Sequence, residues 1–227
     1  MKSQLLIGTL LFVSSTALGG SVSPFTETFE NGANGWLMGT FVAPTETGSG
    51  ALDGSAYIST AADLNTAGMF GLTVLRGEDN FGASGDAFVG DYLAGGITTI
   101  SFDIRHNAGI DLNIALRVST SNNTPGFAVE QPLLIGSGSW VHLEYELSPT
   151  NPLWTPEGGG PGFDPIAFFE NVMDSVGNIQ VSASRPDGLD EAFIVNFDFD
   201  NIAITPAPSA LALLGLGGLV ASRRRRA

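Results

Sequence analysis

Apolar side chains recur at every second position through most of this chain, and that period limits the fold more than any other feature. In 111–119, Leu112, Ile114, Leu116 and Val118 alternate with polar or small residues. The same period occurs in 98–105, 140–148, 178–183 and 192–204. Since successive side chains of a strand point to opposite faces of a sheet, these segments are predicted to be half-buried β-strands.

Weaker strand candidates lie at 26–29, 36–42, 56–59, 70–75 and 127–134, and 30 glycines supply turns between candidates. Only 166–173 shows helical spacing, so one short helix is predicted there. Eight to ten short strands with Gly-rich turns favour an all-β fold, a single antiparallel β-sandwich of the jelly-roll type. We expect one domain over residues 20–205.

The last strand candidate changes phase. One parity carries Phe193, Val195, Phe197 and Phe199, whereas Ile202 and Ile204 have the other parity. If both sets face the core, an extra residue must lie between them, so a β-bulge is predicted between Phe199 and Ile202. The bulge would redirect Asp200 towards the rim of the sandwich.

The charge of this central region is strongly acidic. All 23 acidic residues lie between Glu27 and Asp200, and the same stretch contains four arginines, which gives a formal charge of −19. Nucleic acid is therefore not expected as a partner, because phosphate binding needs Lys and Arg. Divalent cations suit such a surface, although the charge can also act only to keep the protein soluble. The absence of cysteine excludes disulfides and thiolate chemistry.

The N-terminus has the organisation of a signal peptide. Met1 and Lys2 precede an apolar stretch at 5–13, and Ala17-Leu18-Gly19 provides small residues for a signal peptidase. We expect cleavage after Gly19, with residues 1–19 removed; the alternative is a buried N-terminal strand. The protein is thus expected to be exported.

The C-terminal segment 206–227 has three parts. Pro206-Ala207-Pro208 is followed by an uncharged run at 210–221 and then by Arg223, Arg224, Arg225 and Arg226. As a helix, the apolar run would be roughly 20 Å long, shorter than the ~30 Å hydrocarbon core of a bilayer. It is therefore expected to insert only transiently into the inner membrane.

This order of parts resembles the PEP-CTERM sorting signal of Gram-negative bacteria, although the central Glu of the usual motif is absent here. The resemblance implies a processing enzyme of the exosortase type as a partner, cleavage near Pro206 and Pro208, and delivery to the cell surface or extracellular matrix. The alternative is an ordinary C-terminal membrane tail that is retained.

The central region resembles jelly-roll domains of the galactose-binding or carbohydrate-binding-module type. The resemblance lies in the sequence Thr28-Phe29-Glu30-Asn31-Gly32-Ala33-Asn34-Gly35-Trp36 and in Phe199-Asp200-Asn201-Ile202. The stretch from Asp91 to Arg105 also resembles the laminin-type B domain. The first resemblance implies exopolysaccharide as a partner and a structural calcium ion held by Glu30 and Asp200, with Asp53 as a further ligand. Calcium takes six to eight oxygen ligands, so carbonyls and waters would complete the shell. The alternative is that these carboxylates are only solvated.

No catalytic motif is recognisable, so the protein is not expected to be an enzyme. Trp154 lies in the Pro-rich segment 151–156 and is the candidate ligand-binding aromatic residue, with a packing role as the alternative. The sequence predicts an exported structural or glycan-binding protein. Two alternatives stay open: an enzyme acting on extracellular polysaccharide, for which Glu144 and Glu146 are the only suggestive carboxylate pair, and a protein-binding adhesin or scaffold.

Overall fold

The computed structural model of the protein describes residues 20–67, 71–131, 133–158, 162–184, 186 and 191–207. In chain order the strands are β1 (Phe25–Glu27), β2 (Thr45–Thr47), β3 (Tyr57–Asp63), β4 (Leu72–Glu78), β5 (Ile97–His106), β6 (Ile114–Thr120), β7 (Gly126–Glu130), β8 (Val141–Glu146), β9 (Trp154–Glu157), β10 (Val176–Ala183) and β11 (Ile194–Pro206). They form two antiparallel sheets packed as a sandwich, which confirms the predicted jelly-roll class.

The first sheet has six strands in the order β2-β3-β11-β5-β8, and β1 also pairs with β11. Two short strands share one edge of β11, because β3 pairs with its first half and β1 with its second half. The second sheet has five strands in the order β4-β10-β6-β7-β9. Alternate side chains of both sheets meet between them and form the core. The largest fully buried side chains of the strands include Phe102, Phe127, Tyr145, Phe197 and Phe199, and the loop residue Trp36 is also fully buried among them.

Helices are few in the described part of the chain. α1 (Tyr92–Gly95) is a single turn, and α2 (Pro165–Met173) corresponds to the one helix predicted. Asp164 caps α2, since its carboxylate accepts from the N–H groups of Ile166 and Ala167. Three short 3-10 helices (Leu64–Thr66, Asp79–Phe81 and Ala83–Asp86) were not predicted. Neither α1 nor α2 nor any other described helix has the length and hydropathy needed to cross a membrane.

The predicted bulge in the last strand is confirmed. Asp200 pairs with Asp103 of β5, whereas Ala203 pairs with Ser101, so β11 has one residue more than β5 over this interval. Asn201, with φ of +50°, lies within it. Phe199 and Ile202 consequently both face the core although they differ in parity.

Some sequence expectations about elements were wrong. Segment 36–42 forms no strand and contributes one isolated bridge, between Leu37 and Arg76. β2 and β9 were not predicted, because strands of three or four residues are too short to show a period. β11 continues through Pro206, which is buried and pairs with Ile97, so the last strand ends two residues beyond the predicted segment 192–204. Pro208, Arg223, Arg224, Arg225 and Arg226 and the expected signal peptide lie outside the described residues.

Candidate functional site

The three predicted calcium ligands lie around one short segment, Ser55-Ala56, in the loop between β2 and β3. The backbone N–H of Ser55 donates to Asp53 Oδ1 at 2.9 Å, and the backbone N–H of Ala56 donates to Glu30 Oε1 at 3.2 Å. The Ser55 hydroxyl contacts Asp53 Oδ1 and lies 2.9 Å from Asp200 Oδ2. The fold therefore brings together carboxylates from three distant parts of the chain.

Asp200 is the buried member of this group. Its side chain is fully buried beneath the β2–β3 loop, on the outer side of the six-stranded sheet, and does not lie at an open rim as predicted. Its Oδ1 atom has no hydrogen-bond partner in the described part of the chain. Burial raises the pKa of Asp200 to about 6, and the carboxylates of Asp53 and Asp103 act in the same direction.

The Ser55 hydroxyl cannot satisfy both aspartates. It carries one proton but lies within hydrogen-bond distance of Asp53 and Asp200. Its hydrogen bonds to Asp53 lower the pKa of that exposed carboxyl. If the proton goes to Asp53, Asp200 faces the hydroxyl oxygen with a lone pair, which is unfavourable unless Asp200 is protonated or a cation lies between the oxygens.

This donor set fits a hard cation in part. Oxygen atoms only, an unpartnered buried acceptor and an exposed side open to water suit calcium. However, no group of three or more His, Cys, Asp or Glu side chains within the described ranges is close enough to hold a metal ion. Backbone carbonyls, the Ser55 hydroxyl and water would thus have to supply most of the ligands.

Three further residues, Asp103, Asn201 and His142, extend this cluster and were not predicted as site residues. The side-chain amide of Asn201 donates to Asp103 Oδ2 at 3.0 Å, and Asp103 Oδ1 lies 2.7 Å from Nδ1 of the exposed His142. Asp103 is itself buried. Its position on the polar parity of β5, directly beside the bulge, was the signal that could have revealed it.

Trp154 does not form the open aromatic platform expected from a Pro-rich loop. It begins β9, where it pairs with Val129 on the core-facing side of the sheet. Its half-buried indole packs against Phe127, Phe168 and Phe169 at centroid distances of 5.9, 6.3 and 6.3 Å. The structure therefore supports the packing alternative for Trp154. Glu144 and Glu146 lie beside each other on the exposed side of β8.

A polar cleft on the outer face of the five-stranded sheet is the principal site that the sequence analysis missed. Outward residues of a sheet are normally exposed, yet five polar ones are buried here: Glu78, Ser119, Asn178, Gln180 and Ser182. Small residues at Ala115, Gly126 and Ala128 leave space above β6 and β7. The resulting cleft of about 330 Å³ has Arg76, Arg117, Glu157 and Gln180 among its lining residues.

Arg117 organises one half of the cleft. Its Nε atom donates to both carboxylate oxygens of Glu157 at 2.9 and 2.7 Å, and its Nη1 atom donates to Asn123 Oδ1 at 2.7 Å. Gln180 also donates to Asn123 Oδ1, at 3.0 Å. Because the planar guanidinium is held on several sides, its position is fixed before any ligand arrives.

Arg76 organises the other half. Its Nη1 atom donates to Glu78 at 2.7 Å, and its guanidinium carbon lies 4.1 Å from the ring centroid of Phe41. Phe41 has a left-handed φ of +63° and is 56% exposed, so the loop presents an aromatic ring to solvent at this edge. Arg76 Nε and Asn178 Oδ1 are buried and have no partner among the described residues.

The charges of the cleft are balanced although the domain is acidic. Arg76 and Arg117 are two of only four arginines between Glu27 and Asp200, and each forms an ion pair with a glutamate of the same cleft. This rarity was the available sequence signal. Without the strand register, however, it could not show that the two arginines lie on the same face.

Comparisons with known proteins show the fold alone. No protein-family model matches the sequence. No significant match was found among curated proteins. Among solved structures, the chain is similar to the CBM22-1–GH10 modules of Clostridium thermocellum endo-1,4-β-D-xylanase 10B complexed with xylohexaose, with 15% identity and a TM-score of 0.50 over 82% of this chain. The chain spans 28% of that protein's length.

Two other similar structures are single domains. One is the C-terminal family 22 carbohydrate-binding module of C. thermocellum Xyn10B, with 14% identity and a TM-score of 0.46, covering 81% of this chain and 94% of that one. The other is the L4b domain of human laminin α2, with 12% identity and a TM-score of 0.45, covering 88% of this chain and 96% of that one.

Proposed function

We propose that this protein is a non-catalytic glycan-binding protein and that the cleft of the five-stranded sheet is its binding surface. The observation that supports this most is the set of buried polar side chains on the outer face of that sheet. Asn178 Oδ1, which belongs to this set, and Nε of the partly buried Arg76, which lines the cleft, have no partner within the described part of the chain. Such groups are costly to bury unless a ligand or water satisfies them.

The chemistry of the cleft suits a sugar. The Arg117 guanidinium is fully engaged by Glu157, Ser119 and Asn123. It therefore holds the Glu157 carboxylate at a fixed position, where the remaining lone pairs can accept from the hydroxyl groups of a pyranose ring. The exposed ring of Phe41 offers an apolar face of the kind that packs against C–H groups. The complex of the xylanase CBM22-1–GH10 modules with xylohexaose, a structure of similar fold, is consistent with a sugar ligand.

The proposal includes export and sorting. Gly20 and Val22 both pair with Asp91, because the Asp91 N–H donates to the Gly20 carbonyl and the Val22 N–H donates to the Asp91 carbonyl. β11 ends at Pro206. Removal of residues 1–19 by a signal peptidase and cleavage near Pro208 by an exosortase-type enzyme would thus leave every described strand in place, at the cell surface or in the extracellular matrix of a Gram-negative bacterium.

A structural calcium ion at Glu30, Asp53 and Asp200 is also part of the proposal. Its support is the unpartnered, buried Oδ1 atom of Asp200 and the shared hydroxyl of Ser55. Bound calcium would join β11 to the β2–β3 loop and would not contact the cleft, which lies on the other sheet.

Affinity measurements on the mature protein test the binding function. We expect retention on neutral polysaccharides such as xylan and weakening by about tenfold or more in Glu157→Ala, because Arg117 then loses a charged partner. Glu144→Ala is the matched control on the opposite sheet and should bind as the wild type does. Lack of binding to any glycan would favour the adhesin alternative, and release of reducing sugar would favour the enzyme.

A further inference from the structure

An aromatic and arginine cluster lies on the outer face of the six-stranded sheet, opposite the cleft. Arg105 of β5 lies over two rings, with its guanidinium carbon 4.8 Å from the centroid of Trp140 and 5.4 Å from that of Tyr57. The two rings meet edge to face, 5.4 Å apart at 81°. The cluster belongs to neither the cleft nor the Asp200 site, so neither accounts for it.

The positions of these side chains are fixed by the surrounding fold. The indole N–H of Trp140 donates to the Gly50 carbonyl at 3.0 Å, which ties the ring to the β2–β3 loop. Arg105 donates from Nε and Nη2 to Asp198 Oδ2 at 2.8 and 2.6 Å. A rigid, half-buried aromatic ring beside an oriented guanidinium loses little conformational entropy when a ligand binds.

The cluster retains capacity for a ligand. The Arg105 side chain is 29% exposed, and its Nη1 atom has no acceptor within the described part of the chain. Asp198 neutralises its charge. A cleft of about 520 Å³ lies beside the rings and is lined by Arg105 and Asp198, and not by the rings themselves. Asn107 and Asn196 supply amide groups to it, whereas the Ser59 hydroxyl donates to Asp198. This volume lies within the range of small-molecule sites, ~300–1,000 Å³.

We infer that this face is a second glycan-binding surface and that it takes a neutral sugar residue. This second surface rests on the proposed function of the cleft. With both surfaces, the domain has two glycan-binding sites and is bivalent. The ion pair balances the site, while the strongly acidic domain repels polyanions, so an uncharged sugar is favoured. Because the core separates the two sheets, one short oligosaccharide cannot reach both faces. Two separate polysaccharide chains can bind at once, and the protein then links them.

Binding stoichiometry tests the inference. Calorimetric titration of the mature protein with xylohexaose and with cellohexaose as probes should give two sites per chain for the wild type. We expect Trp140→Ala to keep only the cleft and Glu157→Ala to keep only the second surface, with no binding in the double variant. The remaining site in each single variant shows that the variant is folded. The wild type should also precipitate long xylan, and neither single variant should.

Different results separate this inference from the proposed function. One site that depends on Glu157 and not on Trp140 would overturn the second surface and leave the proposed function intact. One site that depends on Trp140 alone would overturn both the cleft and bivalency. No binding to either probe would overturn both the second surface and the proposed function of the cleft. If Trp140→Ala does not fold, Asn196→Ala replaces it, since this exposed residue lines the same surface.

Discussion

The Ser55 hydroxyl lies 2.9 Å from Oδ2 of Asp200, across 145 positions of the sequence. The contact joins the β2–β3 loop to the bulge of the last strand. Oδ2 of Asp200 lies within hydrogen-bond distance of this hydroxyl, whereas Oδ1 is buried without a partner in the described structure. The burial of a poorly satisfied carboxylate has direct consequences for stability, and these can be measured.

The stability of the metal-free protein should depend on the titration of Asp200. Its pKa is about 6 in the fold, above the ordinary value of 3.8. Between these two pKa values the carboxyl has lost its proton in the unfolded chain but keeps it in the fold. The free energy of unfolding therefore falls as the pH rises from about 4 to about 6. In EDTA, Asp200→Asn should therefore melt at a higher temperature than the wild type at pH 7.5. A gain on the order of 1–2 kcal/mol would correspond to about 2–8 °C.

The same comparison at pH 4 is the control. At pH 4 the carboxyl of the folded protein is protonated and that of the unfolded chain is close to its midpoint of 3.8, so only a small part of the advantage of the amide should remain. A difference in melting temperature that is equal at pH 4 and pH 7.5 would mean that the buried charge is not responsible. Asp53→Asn is the comparison variant. It removes an exposed carboxyl with a lowered pKa and should give a smaller gain, which comes from relieving the repulsion that Asp53 exerts on Asp200.

Calcium should raise the melting temperature of the wild type at neutral pH. If the ion binds only the folded state, a concentration of 100 times the Kd stabilises by about 2.7 kcal/mol. Asp200→Asn should lose most of this response, since it has one anionic ligand fewer. The measurement is a thermal melt after removal of tightly bound ions with EDTA and dialysis.

The control for the calcium melt is sodium chloride at the same ionic strength, because screening alone stabilises a domain of this charge. Only the excess produced by calcium counts. Equal melting temperatures with calcium and with sodium would reduce Glu30, Asp53 and Asp200 to ordinary carboxylates.

The sequence alone was sufficient to predict the strands that show a two-residue alternation of apolar side chains. Alternation in 98–105 and 178–183 located β5 and β10, and the parity change after Phe199 located the bulge. These predictions succeeded because one buried face forces every second residue to be apolar. The expectation that Glu30 and Asp200 lie near each other came instead from a family resemblance.

The rest depends on contacts between distant segments. Trp154 lies between two prolines, Pro152 and Pro156, of a loop-like segment, and only pairing with Val129 shows that it faces the core. The cleft was missed because Arg76 and Gln180 are 104 positions apart and meet only through the register of β4 and β10. Polar residues of one parity look solvated in a sequence, and their burial becomes visible only in the sheet.

Replacement of Gly77 should destabilise the sandwich. A Cβ at this position in β4 would lie 2.9 Å from the ring of Trp36, which is fully buried and cannot move aside. We expect Gly77→Ala to cost about 1–3 kcal/mol in urea denaturation, the usual penalty of overpacking. Gly48→Ala is the matched control, because nothing lies within 4 Å of its new methyl group. Equal losses in both variants would exclude the contact with Trp36 as the cause.

Under the proposed sorting, the mature protein should lack the residues after about Pro208. β11 ends at Pro206, so a cut just beyond it removes no paired residue of the described fold. The apolar run that follows is too short to be a stable anchor at roughly 20 Å, and the four arginines after it would hold its end in the cytoplasm only until cleavage. Intact-mass analysis of protein released from the cell surface measures this directly. A mass that still includes Arg223 to Arg226 would favour the retained membrane tail.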